Sequence, residues 1–329
     1  GKGEISSESF VDFFMEDWHG GMDQMSEEEF MLSLLYTDDT TELKGTIAEE
    51  EKEFLSVASS FPYVTPNTVK VLLDAGIDEN DKNVMFHIAA QERHVDILEI
   101  LLKKGGCDVD RPDSEGATAM HCVFYEPDDY MSVDRNDRLE VVKFLIDMGA
   151  KSNCKDKPDE WTPLHYAAHG GDADVATVLI KNGNADVKAV SAYNRTPLHI
   201  AAEEGNIKVA RVLLENRADV NAEGMGKLTA FHLACMQGDC DLATLLVNHG
   251  ADVNAANEEK STGLHMACRT DSIELVRYLL EQNDVDVNAV DTSKRSALSE
   301  AQECGNLDIA KLLIDNGAQT ELGKQNEIQ

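Results

Sequence analysis

Positive charge is scarce in this sequence: 29 Lys and Arg stand against 62 Asp and Glu, a formal net charge of -33 over 329 residues. Sequence-independent nucleic-acid binding needs clustered cations against phosphates, so direct nucleic-acid contact is excluded as an expectation, and basic protein surfaces become the favoured partners. Aromatic residues make up only 6%. The seven cysteines, Cys107, Cys122, Cys154, Cys235, Cys240, Cys268 and Cys304, are odd in number, scattered and include no C-x-x-C pair. That usage fits a reducing compartment, and cytoplasmic or nuclear residence is expected. Long apolar runs are lacking too. The stretch from Phe30 to Tyr36 is much too short to span a bilayer, so no membrane insertion is expected. Missing as well are G-x-S-x-G, a P-loop, G-x-G-x-x-G after a strand and H-E-x-x-H, so neither catalysis nor a cofactor is expected.

What the sequence does have is self-similarity. Thr162-Pro-Leu-His165, Thr196-Pro-Leu-His199, Thr229-Ala-Phe-His232 and Thr262-Gly-Leu-His265 recur with histidine spacings of 34, 33 and 33 by subtraction. Weaker copies stand at Val84-Met-Phe-His87, Thr118-Ala-Met-His121 and Ser296-Ala-Leu-Ser299, the last without its histidine. Small residues follow each motif (Ala167-Ala168, Ala201-Ala202, Ala234-Cys235, Ala267-Cys268), then a second apolar segment such as Val209 to Leu214, then Asp-Val-Asn-Ala. Thr serves as an N-cap, Pro is tolerated at the first helical position, and the small residues allow close helix approach. Gly149, Gly250 and Gly317 fall where the second helix must stop, the place for a left-handed residue.

This pattern closely resembles the ankyrin repeat. The resemblance implies an all-α solenoid of stacked helix pairs with β-hairpin fingers, and a non-catalytic protein-binding scaffold or adaptor. A degenerate cap is expected at 49–78, with repeats near 79–112, 113–156, 157–190, 191–223, 224–256, 257–290 and 291–320. The spacing from His121 to His165 is 44 by subtraction, so about ten residues are inserted around 126–137, an acidic surface loop.

Residues 1–48 do not match the repeat. Glu8 to Trp18 and Ser26 to Tyr36 read as two short amphipathic helices, and residues 1–60 carry sixteen acidic side chains against three lysines. Two readings stand: an N-terminal cap over the first repeat, or a docking segment for another protein or for the chain's own groove. A basic stripe at Lys82, Arg195, Lys227, Lys260, Lys294 and Arg295, each just before the repeat motif, motivates the second.

The histidine row also invites a metal reading, since His232 with Cys235 and His265 with Cys268 have i,i+3 spacing. Packed helices lie about 8–10 Å apart, too far to share one tetrahedral ion, and no metal is expected. In ankyrin proteins the equivalent histidine fixes the turn at the helix start.

Partner contacts in that family come from finger tips and the inner side of the first helix. Carried over, these are Trp161, His169, Tyr193, Arg195, Glu203, Glu204, Met225, Leu228, Met236, Gln237, Arg269 and Arg295. Trp161, Tyr193, Met225, Leu228 and Met236 are expected to form one apolar patch, whose alternative is that Trp161 and Leu228 fill gaps between fingers. Asn221, Asn254 and Asn288 match the ankyrin pattern of the asparaginyl hydroxylase that acts on hypoxia-inducible factor, with Leu213, Leu246 and Leu280 eight residues before them, or else simply suit the hairpin. The implied partner is a protein with a basic or mixed apolar and basic surface, bound by a chain that is monomeric alone. A second reading is an inhibitor masking a basic, nucleic-acid-binding partner, as in the NF-kappa-B inhibitors, although their paired-serine Asp-Ser-Gly signal is absent from the head. A third is a pathogen effector that binds host proteins.

Overall fold

The computed structural model describes residues 64–125, 135–282 and 284–319. The acidic head, most of the expected cap and residues 126–134 of the expected 126–137 insertion lie outside the described residues, while 135–137 fall in a helix rather than in the expected loop. The chain divides at Asp156 into two compact units.

In the first unit, α1 (Pro66–Ala75) is followed by the pairs α2 (Glu79–Gln91) with α3 (Val95–Lys103) and α4 (Ala119–Cys122) with α5 (Arg135–Asp147). The second unit holds five pairs: α6 (Pro163–Gly170) with α7 (Ala173–Lys181), α8 (Pro197–Glu203) with α9 (Ile207–Glu215), α10 (Ala230–Gln237) with α11 (Cys240–Asn248), α12 (Gly263–Ala267) with α13 (Ile273–Leu280), and α14 (Ala297–Glu303) with α15 (Leu307–Asp315). First helices pack on first helices (α6, α8, α10, α12, α14) and second on second (α7, α9, α11, α13, α15). All fifteen described helices belong to this all-α layering, and among the described residues there is no sheet.

Burial explains the order of residue types. Ala167, Ala168, Ala201, Ala202, Ala234, Cys235, Ala267 and Cys268 are all inaccessible, so small side chains set how closely neighbouring first helices approach. Leu179, Leu213, Leu246 and Leu279 fill the layer between first and second helices. Each contributes about 1.5–3 kcal/mol of apolar burial that no single helix pair could gain alone. The expected stop-glycines adopt the left-handed conformation, at φ 91° for Gly149 and 90° for Gly250 and Gly317.

At each helix start the Thr and His of the motif close a reciprocal box. The Thr196 N–H donates to His199 Nδ1 at 3.1 Å, and the His199 N–H donates back to Thr196 Oγ1 at 3.4 Å. With Nδ1 accepting, the ring proton sits on Nε2, which donates to the Leu228 carbonyl in the next finger at 2.9 Å. His232 repeats this toward Ala255 at 2.9 Å, His265 toward Arg295 at 3.2 Å and His165 toward Arg195 at 2.9 Å, as do His87 toward Arg111 at 3.0 Å and His121 toward Cys154 at 3.1 Å in the first unit. Both ring nitrogens are thereby committed in the five histidines that follow a Thr, namely His121, His165, His199, His232 and His265. Burial is the main cause holding the His87, His199, His232 and His265 pKa values below normal. Ser299 keeps the half of the box inside its own repeat, accepting from the Ser296 N–H at 2.8 Å, and gives up the reach to a following finger.

Candidate protein-interaction surface

The fingers are built from one turn used repeatedly. In the second unit, Ser191, Gly224, Asn257 and Asp291 each open a finger turn, and their N–H groups donate to the carbonyls of Arg195, Leu228, Ser261 and Arg295 at 2.8–3.0 Å. The fourth residue is left-handed each time: Asn194 (φ 54°), Lys227 (57°), Lys260 (60°) and Lys294 (62°), with Glu160 (55°) matching them one finger earlier. Each turn is thus closed on a left-handed residue, as in three-residue hairpins, and in the Gly224 finger Gly226 (φ 67°) is left-handed as well. Only two isolated antiparallel bridges, Ala256 with Thr262 and Val290 with Ser296, accompany these turns among the described residues, so the fingers are hairpins of turns rather than of strands.

Neighbouring fingers are tied together. The Ala192 N–H donates to the Asp159 carbonyl at 2.8 Å, Glu258 N–H to Gly226 at 3.0 Å and Thr292 N–H to Glu259 at 2.8 Å. Lower down, Asn221, Asn254 and Asn288 form a ladder. Asn254 Nδ2 donates to the Asp284 carbonyl at 2.6 Å while its Oδ1 accepts from the Asp286 N–H at 2.8 Å, and Asn221 and Asn288 bridge to Gly250 with Asp252 and to Gly317 with Gln319. Each amide thus replaces two backbone partners that the finger would otherwise offer to water.

On this frame the expected contact residues separate into two groups. Tyr193 (53% exposed), Met225 (66%) and Met236 (52%) present large apolar surface, the first two on adjacent fingertips and the third in the last turn of α10. Trp161 is half-buried instead, 5.1 Å from the Tyr166 ring and 5.7 Å from the His169 ring between centroids, so it packs a fingertip onto its own helix. Leu228 is half-buried as well.

The polar members are mostly partnered along the inner helix face. His169 meets Glu204 at 3.1 Å, Gln237 donates to the Glu203 carbonyl at 3.2 Å, and Arg195 pairs with Glu203. Arg269 reaches one repeat onward with a bidentate pair to Glu300, both bonds 2.9 Å, and Arg295 binds Asp291 at 2.8 Å and Glu300 at 3.1 Å. Hydrogen bonding from Arg269 is the chief reason the Glu300 carboxyl lies below the usual range. For Asp291, burial alone would raise the value, and the bonds from Arg295 outweigh it.

These pairs revise the basic stripe. Lys82 is not on a finger at all: α2 begins at Glu79 under the Asp78 cap, so Lys82 lies on a helix, 3.6 Å from Glu79. Arg195 and Arg295 are neutralised, and Lys227 lies 3.7 Å from Glu223, which leaves Lys260 and Lys294 of the stripe at the left-handed turn position. Two residues escaped the sequence reading. Tyr166 completes the Trp161 cluster, and Glu300 (3% exposed) occupies the place that Ile200, Leu233 and Met266 hold in earlier repeats; that break in an apolar column was its available signal.

A surface of tied finger turns beside a face of short, close-packed helices, carried by a column of boxed histidines, defines a helix-pair repeat protein. The family model for ankyrin repeats matches residues 55–128, 130–223 and 231–324, and the chain belongs to the ankyrin-repeat family. Among similar proteins, the nuclear factor NF-kappa-B p105 subunit of Gallus gallus is 35% identical over 129 residues, 37% of this chain and 12% of that protein. The Mus musculus p105 subunit is 30% identical over 111 residues (33% of this chain and 10% of that one), and the RelA-associated inhibitor of Mus musculus 32% over 97 (30% and 10%). The chain therefore spans about a tenth of the length of these curated relatives. No helix among the described residues is long and apolar enough to cross a membrane.

Proposed function

We propose that this chain is a non-catalytic scaffold or adaptor that holds a protein segment against the fingers and inner helices of its second unit, in the cytoplasm or nucleus. The observation that carries the reading is the exposure of Tyr193 on one repeat and of Met225 and Met236 on the next, among finger turns closed by their own backbone hydrogen bonds. Apolar side chains on a rigid frame lose little entropy on binding and supply the type of anchor that dominates interface energy. Arg195, Arg269 and Arg295 are spent on carboxylates of the chain itself, and the net charge of -33 favours a partner of mixed apolar and basic surface. The division into a cap at 49–78 and seven repeats from 79 to 320, with the acidic head as a docking or regulatory element, belongs to this proposal. So do Asn221, Asn254 and Asn288 as hydroxylation candidates, an idea removed if none of their peptides gains one oxygen in mass.

A second reading is favoured by the relatives. Similarity to proteins named as an NF-kappa-B subunit and a RelA-associated inhibitor supports an inhibitor that masks a basic partner. Affinity purification from the native cell, with and without residues 1–48, supplies the partner. Tyr193→Ala and Met236→Ala should each then weaken its binding by about tenfold, or ~1.4 kcal/mol. Unchanged affinity in both would defeat the scaffold reading. A steep loss of affinity with added salt would favour the masking reading, since screening weakens exposed charge pairs and leaves apolar contacts intact.

A further inference from the structure

Sulfur is distributed unevenly between protected and open positions in this chain. Among the described methionines, Met85 and Met120 (1% exposed each) and Met266 (6%) fill the helix layers, whereas Met225 and Met236 stand in solvent on the finger and the first helix of one repeat of the second unit. Met225 lies between Gly224 and Gly226, so no flanking side chain shields its thioether, and its turn is closed by backbone bonds alone. Met236 ends α10 beside Gln237, whose amide is turned away to the Glu203 carbonyl. Both belong to the apolar surface on which the proposed docking rests.

The thiols offer an oxidant little. Burial pushes Cys107 up to about 11 and Cys122 and Cys268 up to about 12, and it raises Cys154, Cys235 and Cys240 as well. Thiolate is the nucleophile that attacks a peroxide, so these six are poor targets, and Cys304 is the one exposed cysteine among the described residues.

We propose that Met225 and Met236 are a paired oxidation site through which a two-electron oxidant such as hydrogen peroxide switches the docking surface off. A thioether lone pair takes one peroxide oxygen as the O–O bond breaks, and sulfur loses two electrons to become the sulfoxide. The other oxygen leaves as hydroxide and takes up the proton released from the transferred oxygen, giving water. The product replaces apolar surface with a polar S=O group at two of the three large apolar side chains of the patch, and methionine sulfoxide reductases reverse it.

The test uses the full chain carrying Cys304→Ser, treated with graded hydrogen peroxide and read by peptide mass. Met225 and Met236 should gain oxygen at least about tenfold faster than Met85, Met120 and Met266, with exposed Met148 of the first unit as a positive control. Nile red, a neutral dye undeterred by the net charge, reports the patch. Its fluorescence should fall on oxidation, recover with reductase, and stay constant in the Met225→Leu, Met236→Leu double variant. Equal oxidation of buried and exposed methionines, or the same dye response in variant and parent, would overturn the proposal. The inference rests on the docking reading, yet the two fail separately: selective oxidation alongside an unaffected Tyr193→Ala partner affinity would sink docking and leave the sulfoxide site standing.

Discussion

Phe231 and Gly263 form a size-matched pair, and separating them should be costly. Phe231 takes the position that Leu holds in Leu164, Leu198 and Leu264, and it is fully buried on α10. A Cβ placed on Gly263 at the start of α12 would lie 2.5 Å from Phe231 Cε1 and 3.0 Å from Cys235 Sγ, distances that real methyl groups do not tolerate. Gly263 is therefore glycine for space. Gly263→Ala should cost about 1–3 kcal/mol as overpacking, reduced by the few tenths that Ala gains over Gly at a helix end. Phe231→Leu alone should cost about 1–2 kcal/mol for the cavity it leaves. Combined, they restore the Ala and Leu found in Thr118-Ala-Met-His121 and Thr196-Pro-Leu-His199 type repeats, so the double variant should be about 1–2 kcal/mol better than the sum of the singles. Urea unfolding followed by helical circular dichroism on all four proteins measures that coupling. Additivity within about 0.5 kcal/mol would refute the reasoning.

Acid should destabilise the fold before its carboxylates titrate. The folded His87, His199, His232 and His265 have pKa values below the ordinary 6.5, so the unfolded chain takes up protons first and stability, complete above that value, is lost as pH falls through it. The upper bound at pH 5.5 is about 1.4 kcal/mol per imidazole, and an unchanged urea midpoint between pH 7.5 and 5.5 would contradict it. His232→Ala orphans the Thr229 N–H and the Ala255 carbonyl and should lose about 2–3 kcal/mol by the same measurement. Asn254→Ala, which removes two half-exposed ladder bonds, should lose nearer 1 kcal/mol. Glu300→Gln should lower the thermal midpoint at pH 7, and the gap to the parent should narrow as pH falls below the ordinary 4.5 and through the lowered folded value, where the parent's carboxylate becomes protonated.

The helix pairs were legible because their determinants are local. Thr at the cap, Pro after it, two small residues and a stop-glycine each act within one turn of chain, so Thr196 to Gly205 carries its own instructions. The surface was legible only in part, because a side chain's freedom depends on what the next repeat offers it. Tyr193, Met225 and Met236 face nothing and stayed open, whereas Arg195 and Arg269 found carboxylates on their own or a following helix. Trp161 was drawn inward by Tyr166 and His169 from its own repeat, a contact that spacing suggests only once the helix is placed. Lys82 failed for the opposite reason: without Thr before Met85-Phe86-His87, the helix starts six residues early, at Glu79 under the Asp78 cap rather than at Met85, and no finger precedes the motif there.

The imidazole bridges also decide where this chain can change length. His87 and His232 reach carbonyls 24 and 23 residues onward, on the outgoing side of the next finger, while His165, His199 and His265 reach the returning side at 30, 29 and 30. His121 spans 33 residues to Cys154 and still lands on an outgoing carbonyl, because the roughly ten additional residues fall between α4 and α5 in the sequence, upstream of the landing point. Segments grafted between the two helices of a pair should therefore be accepted as cargo, whereas a single residue added within a finger would carry the receiving carbonyl out of reach and unfasten one module from the next.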